Sequence, residues 1–469
     1  MQEILKSKRI CQRGAILTLV LVYGAIFVLL FSSLSGFVFF IYRQSREKIV
    51  LSKAMAIAEA GVNWSRWHLA HSPSDFTFSG TYNYTDQESG VIGQYELEVT
   101  APPACSTTAT IRSTGWTSEL PDIKRAITVR YGQPSLAQYA FLTDADVWFG
   151  ENEDVQGPLH ANGGIRMDGT QNSIFTSAKE TYMCQPYHDC NPAQEKPGIW
   201  GSGVGGTQGL WYFDVPPVNF DSLTMDLDVL RTTARDGGGY YFEPSGEFGY
   251  RVEFKNNGTF DLYKVTRLWG AVDACDTEGN CFSTQDDIRN QSLVGNYPLG
   301  AAGCGVQNLI FIEDGKVWVD GVLREKATVV AARLPDDPVT RSTIVINGNI
   351  SRADPRDTML ALIAQKHVIV PYRSPNVLEI QAVMIAQHGA VQRYYYGSGS
   401  NRLRNSIMVR GSIISRKTWT WSWVNGSGDI ISGYQETESH YEPALIYNPP
   451  PYFPTTGDLQ FISWDEVDP

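Results

Sequence analysis

The chain has 469 residues, 42% of them hydrophobic and 19% charged, which is enough apolar mass to bury a sizeable core and excludes a disordered protein. Its formal net charge of −12 repels phosphate backbones, so nucleic acid is not expected as a partner. The charge is uneven: residues 1–14 carry Lys6, Lys8, Arg9 and Arg13 against Glu3, a net of +3, which leaves −15 on the other 455 residues.

From Ala15 to Tyr42 there are 28 residues without a charge, more than the roughly 20 a helix needs to cross a bilayer. A cleavable secretory signal has a shorter apolar region, of about 7–15 residues. A membrane span over 15–42 is therefore predicted, with its basic flank in the cytoplasm and the rest of the chain outside. Helical periodicity continues beyond it. Val50, Ala54, Ile57, Ala58, Gly61, Val62 and Leu69 recur at three- and four-residue steps, while Lys53, Glu59, Asn63 and Arg66 fall elsewhere, until Ser72-Pro73 ends the pattern. One helix over 15–72 is predicted, apolar all round in its first half and amphipathic in its second.

A basic leader ending in glycine, a long apolar helix and an amphipathic continuation through AIAEAG (56–61) resemble type IV pilin-like proteins, specifically minor pilins and pseudopilins with a PilX-type N-terminus. The resemblance implies a leader over 1–14, cut by a prepilin peptidase between Gly14 and Ala15. Most members carry a glutamate at the fifth mature position, where this chain has Leu19. The tip pseudopilin of related secretion systems also lacks it, so the resemblance implies an initiator or tip subunit. Leu19 and Glu59 are the candidate filament-assembly positions. Other pilins, the peptidase and the membrane are the implied partners, with a host-cell or glycan surface as a further candidate. The implied location is the bacterial inner membrane before assembly and the cell surface afterwards.

Within 73–132, alternation in GQYELEVT (93–100) and KRAITVRYG (124–132), with ATIRSTG (109–115) between them, predicts a small antiparallel meander, the pilin arrangement. The predicted fold class is thus α+β: a long N-terminal membrane helix, the meander and a mainly-β domain. From about 311 to 424, short β-rich runs recur: KVWVDGVL, TIVINGNI, ALIAQKHVIV, AVMIAQHGAV and SIMVRGSIIS. Gln365 and Gln387 are 22 apart, as are Gly389 and Gly411. This favours stacked coils of a β-solenoid, with a β-sandwich as the alternative. GPLHANGGIRMDG (157–169) reads as another copy, so the domain is expected to begin within 133–181. The stretch 182–310 reads as a loop-rich, disulfide-bearing insertion and 425–469 as an extended C-terminal strap.

Chemistry is sparse. Cys184 with Cys190 and Cys275 with Cys281 form close pairs that fit small disulfide loops in an oxidising compartment, against a weaker reading of Cys184, His188 and Cys190 as metal ligands. The partners of Cys105 and Cys304 stay open. Asp273, Asp276, Glu278 and Asn280 form an oxygen-rich loop that could hold calcium, although solvated turn residues explain them too. Otherwise no cofactor or metal is expected. Trp419, Trp421 and Trp423 fall on one side of an extended segment, either as core or as an aromatic contact surface. The acidic pairs Asp286-Asp287 and Asp336-Asp337 suit turns better than glycan cleavage, so a membrane-anchored glycan-active enzyme ranks below a structural subunit, as does a pilus-independent adhesin.

Overall fold

The computed structural model describes residues 13–86, 88, 90–102, 106–151, 153–203, 208–220, 227–300, 305–354, 358–425, 427–446, 448–456 and 459–469, so Cys11, Cys105 and Cys304 lie outside the described residues. A long N-terminal apolar helix is followed by a mainly-β chain. Two compact units divide it: Met1–Ala101 with Thr110–Tyr131 and Ser463–Pro469, and Pro102–Ala109 with Gly132–Ile462.

In the first unit, helix α1 (Arg13–His71) is continuous over 59 residues. Its side chains are exposed from Ile16 to Tyr42, while Val50, Ala54, Ile57, Ala58, Val62 and Leu69 are buried. That buried stripe lies on an antiparallel sheet whose first strands are β1 (Gly80–Asp86), β2 (Gly90–Thr100), β3 (Thr108–Thr117) and β4 (Lys124–Gly132). Tyr95 and Leu97 of β2 turn inward, whereas Glu96 and Glu98 face solvent, the alternation of a half-buried strand. A fifth strand, Gln460–Val467, extends this sheet beyond β4. The tail reads in the sequence as an extended strap; its pairing here covers backbone groups that the edge of β4 would otherwise leave open. An ion pair between Arg125 and Glu466 and a hydrogen bond from Arg112 to the Asp468 carbonyl (2.8 Å) hold it there.

The second unit is a stack of parallel coils, each passing through three ladders in turn. The first ladder runs through Tyr240–Phe242, Leu309–Ile312, Ala327–Ala331, Leu360–Ala364 and residues 383–386 and 413–415. The second takes Tyr250–Lys255, residues 316–319 and 343–346, Val368–Val370 and Val391–Arg393. The third includes 350–352, 377–382, 403–411 and 433–441. Alternate residues point into the stack (Ile310, Ile312, Leu360, Leu362, Val368, Val370) and form its core.

The chain does not stack in sequence order. The last coils pair with the first: Ile413 lies opposite Phe141, and Ser439 opposite Val155. From this seam the early coils continue outward through Leu159–Ala161 and Phe175–Ser177 to Trp211–Phe213. The chain then returns to the other end of the stack, where it restarts at Tyr240. The return carries helix α2 (Leu227–Asp236), whose Leu227, Leu230 and Ala234 cover the outward side chains Leu309 and Phe311 of the first ladder. Leu445 and Phe453 of the tail belong to the same outer cluster, with Ile363 and Ile385. On the second ladder, Val265 and Ala274 cover Trp318, Val345 and Ile369. These ladders therefore have two buried faces. Runs such as LIFI, ATVVA and LALIA read as continuously apolar for that reason.

Residues 182–310, which read as an insertion in the sequence, thus contribute end coils and outer cover as well as loops. Likewise Ile430–Tyr441, placed by the sequence in the strap, is a strand of the third ladder.

Candidate assembly helix and polar clusters

Gly14 and Ala15 lie in the first turn of α1. Leu19 is 57% exposed, within an apolar surface that continues to Tyr42. By length and composition α1 can cross a membrane, with a mean hydropathy of 2.4 in its most apolar window. Glu59 is exposed and lines a shallow groove with Lys48, Leu51, Ser52, Met55, Ala56 and Arg125. Just before this groove, Arg43 bridges Glu47 one turn on (3.0 Å) and Arg46 pairs with Glu119. At the far end of α1 the ring of His68 lies 2.9 Å from Asp75, whose carboxyl is held down to about 2, chiefly by hydrogen bonds from Thr77.

In the β-domain, Cys184 is joined to Cys190 and Cys275 to Cys281. With both thiols in a disulfide, Cys184 and Cys190 are not thiolate ligands for a metal. Their loop is fastened to the coils by Arg166, which donates to the His188 carbonyl (2.6 Å) and pairs with Asp168 (2.7 Å) and Asp189 (3.2 Å). The Arg166 guanidinium also lies 4.5 Å from the ring of Trp148 and 4.9 Å from that of Trp200. Burial and this cation push the His188 imidazole down to about 4.

The second disulfide closes a hairpin, Val272–Cys275 with Cys281–Thr284, and Cys275 exchanges backbone hydrogen bonds with Tyr395 (3.0 and 2.9 Å). The candidate calcium ligands sit in this hairpin, but they do not converge. Asp276 accepts from the backbone of Glu278 and Asn280 (3.0 and 2.9 Å), Glu278 pairs with Lys417, and Asp273 lies opposite Ser283 in the ladder. Among the described residues no group of three or more His, Cys, Asp or Glu could hold a metal ion.

Of the three tryptophans, one is core and two are half-buried. Trp421 is 2% exposed inside the stack, Trp419 stacks on Phe141 with centroids 4.8 Å apart, and Trp423 donates to the Arg393 carbonyl (2.9 Å). His367 lies opposite Ala390, not His388, and accepts from its amide (3.0 Å); burial holds its pKa down to about 4.

Neither acidic pair forms a carboxylate dyad. Asp336 pairs with Arg341 (2.7 Å) while Asp337 accepts from Val339 in a turn (3.0 Å). Asp286 pairs with Lys316 (2.7 Å), whereas burial pushes Asp287 up to about 6. A raised carboxyl stabilises least when ionised, so this contribution is intact below the ordinary value of 3.8 and is lost as pH rises through about 6. Asp287→Asn is expected to raise stability at pH 7.5 by about 1–2 kcal/mol and to change little at pH 4. Denaturation midpoints at both pH values check this; equal shifts at both would remove the electrostatic explanation.

Comparison with known proteins adds little. No family model matches the chain, and no curated protein does. A solved structure that matches is the competence-associated pilin ComZ from Thermus thermophilus, at 12% sequence identity, covering 89% of this chain and 97% of that one, with a TM-score of 0.28. At that score the likeness supports no argument about fold or function, and the reading below rests on the chain's own features.

Sequence reasoning missed three features: the Arg166 cluster, α2 and the seam. Arg166 stands in GPLHANGGIRMDG, which reads as a coil, and nothing local ties it to the CQPYHDC loop. The second shows only as a short amphipathic stretch, LDVLRTTARD, in a loop-rich region.

Proposed function

We propose that this protein is a minor pilin-like subunit, cut between Gly14 and Ala15 by a prepilin peptidase and held in the bacterial inner membrane by α1 until it joins a type IV pilus or related filament. The observation that carries this reading is α1 itself. A basic flank and Gly14 precede an uncharged, outward-facing segment to Tyr42, and the same helix continues into a stripe buried on an antiparallel sheet. An isolated anchor has no need of that continuity. Leu19 stands where a buried carboxylate would otherwise need a partner amine, which supports a place at the tip or in the initiation complex. Glu59 and its groove are the assembly contact outside the bilayer, the coil stack is a β-solenoid head, and the role is structural: assembly and surface attachment, with no reaction catalysed.

N-terminal sequencing of the protein from membranes and sheared filaments of its native host tests the reading. The expected start is Ala15, and Gly14→Asp is expected to leave the full-length chain in the membrane and out of filaments. A wild-type chain that starts at Met1 and is absent from filaments would overturn it.

A further inference from the structure

Although the protein is strongly acidic, one surface of the β-domain gathers cations that form no ion pair with a carboxylate among the described residues. Arg289 and Arg373 are exposed, and both guanidinium groups rest on the ring of Trp269, at 4.9 and 4.4 Å from its centroid. Trp269 is itself 38% exposed, and its amide donates to the Asp287 carbonyl (2.9 Å). Exposed Arg267 lies on the strand Thr259–Leu268 opposite Asn290, one residue from Arg289. Beyond Arg373, the neighbouring corner carries Arg404, which donates to the Tyr372 carbonyl (3.3 Å), and Arg402, which reaches the Gly397 carbonyl (3.4 Å).

None of these five arginines is within ion-pair distance of a carboxylate among the described residues, whereas Arg251, Arg341, Arg352 and Arg416 all are. Asp287 uses Oδ1 to accept from the Arg373 amide (2.9 Å), which fixes the loop, and it feels the Arg373 charge without forming an ion pair with it. Buried Arg393 anchors the same corner by donating to Ser374 Oγ (2.9 Å) and the Asn401 carbonyl (2.7 Å).

We propose that this surface binds an acidic polysaccharide through its carboxylate or sulfate groups. Guanidinium forks match such planar or tetrahedral anions with paired hydrogen bonds. Stacking on an indole keeps two forks in place at small entropic cost, and the exposed indole edge offers apolar area to a sugar ring. Cations on two adjoining corners suit a ligand that repeats its charge along a chain. Duplex DNA is a poorer fit, because a long, dense phosphate backbone must also approach the rest of a protein of net charge −12. The inference gives surface attachment a site and a chemistry, but it does not depend on processing at Gly14.

The test uses the full chain in detergent, with immobilised polygalacturonate and a heparin-type sulfated glycan as probes, and dextran and duplex DNA beside them. Retention on either acidic glycan is expected at low salt and is expected to fade as ionic strength rises. Arg289→Ala with Arg373→Ala is expected to weaken it about tenfold or more, while the double lysine variant recovers part of the loss. The charge-matched double variant Arg235→Ala with Arg324→Ala, at exposed arginines elsewhere, should bind as wild type. Unchanged circular dichroism separates lost binding from lost folding. No retention on either glycan, equal retention on dextran, tighter binding to DNA, or equal losses in both double alanine variants would each overturn the proposal. None of these outcomes bears on where the mature chain starts.

Discussion

Replacing Trp421 with alanine is expected to destabilise the β-domain by about 3–5 kcal/mol, the range for deleting a large buried aromatic. Trp421 is 2% exposed and belongs to the interior of the coil stack. Its position at the seam makes the loss hard to absorb. The second ladder runs in register as far as Val391–Arg393, and the early coils carry a separate ladder that pairs Val147–Phe149 with Ile165–Met167. Between them, among the described residues, its only pairing is an isolated bridge from Gln392 to Thr420. Aromatic rings occupy this gap: Trp419 stacks on Phe141 and lies 5.8 Å from Phe149, and Trp421 is 6.3 Å from Trp419. With few ladder hydrogen bonds to hold the coils together here, the cavity left by alanine has little backbone support. Trp423→Ala, at a half-buried position, is expected to cost less, about 1–2 kcal/mol. Denaturant unfolding followed by far-ultraviolet circular dichroism measures both. A Trp421 loss below that of Trp423 would mean that the seam is not held by its aromatic filling.

The second large effect belongs to the first unit. A Cβ on Gly115 would stand 2.4 Å from both the Ala54 carbonyl oxygen and the Ala58 amide nitrogen of α1. Both are helix backbone, so no side chain can swing aside. Only separation of helix and sheet relieves the clash. Gly115→Leu is therefore expected to cost about 3 kcal/mol or more and to expose the stripe from Val50 to Leu69. Limited proteolysis of the helix beyond residue 50 reads the exposure directly. Gly150→Ala, where a Cβ meets nothing within 4 Å, is the control expected to behave as wild type. Resistance of Gly115→Leu at wild-type level would show that helix and sheet do not depend on this approach.

Local chemistry made much of this architecture legible. The uncharged run to Tyr42 and the three- and four-residue apolar steps that follow it specify α1, because a helix has one period whatever surrounds it. Alternation in β2 and β4 specifies strands in the same way. The spacing of Gln365 and Gln387 reports true stacking, since Ala364 lies opposite Ala386 immediately before them. The equal spacing of Gly389 and Gly411 does not. Gly389 packs on Lys366 and His367 at one corner, whereas Gly411 lies opposite Ala382 at another, with a φ of +146° that favours glycine. Corner loops differ in length from coil to coil, so one interval can be a repeat at one place and coincidence at another.

The candidate sites divide along the same line. The cysteine pairs were readable because each closes a loop of a few residues. The fate of WTWSW was not: whether an aromatic run is surface or interior depends on what packs against it, and here that is Phe141, far away in the chain. The five arginines are likewise scattered from 267 to 404, and Arg289 and Arg373 come together on Trp269 only because segments far apart in the chain lie side by side. By itself the sequence determined the helix, its apolar length and the strand character of the short runs, all of which follow from hydrophobicity and backbone period over a few residues. Tertiary structure alone decided that the last coils stack on the first and that α2 and the hairpins cover the ladders. Parallel strands pair with whichever coil completes their hydrogen bonds and buries their faces, and nothing in the local sequence names that neighbour.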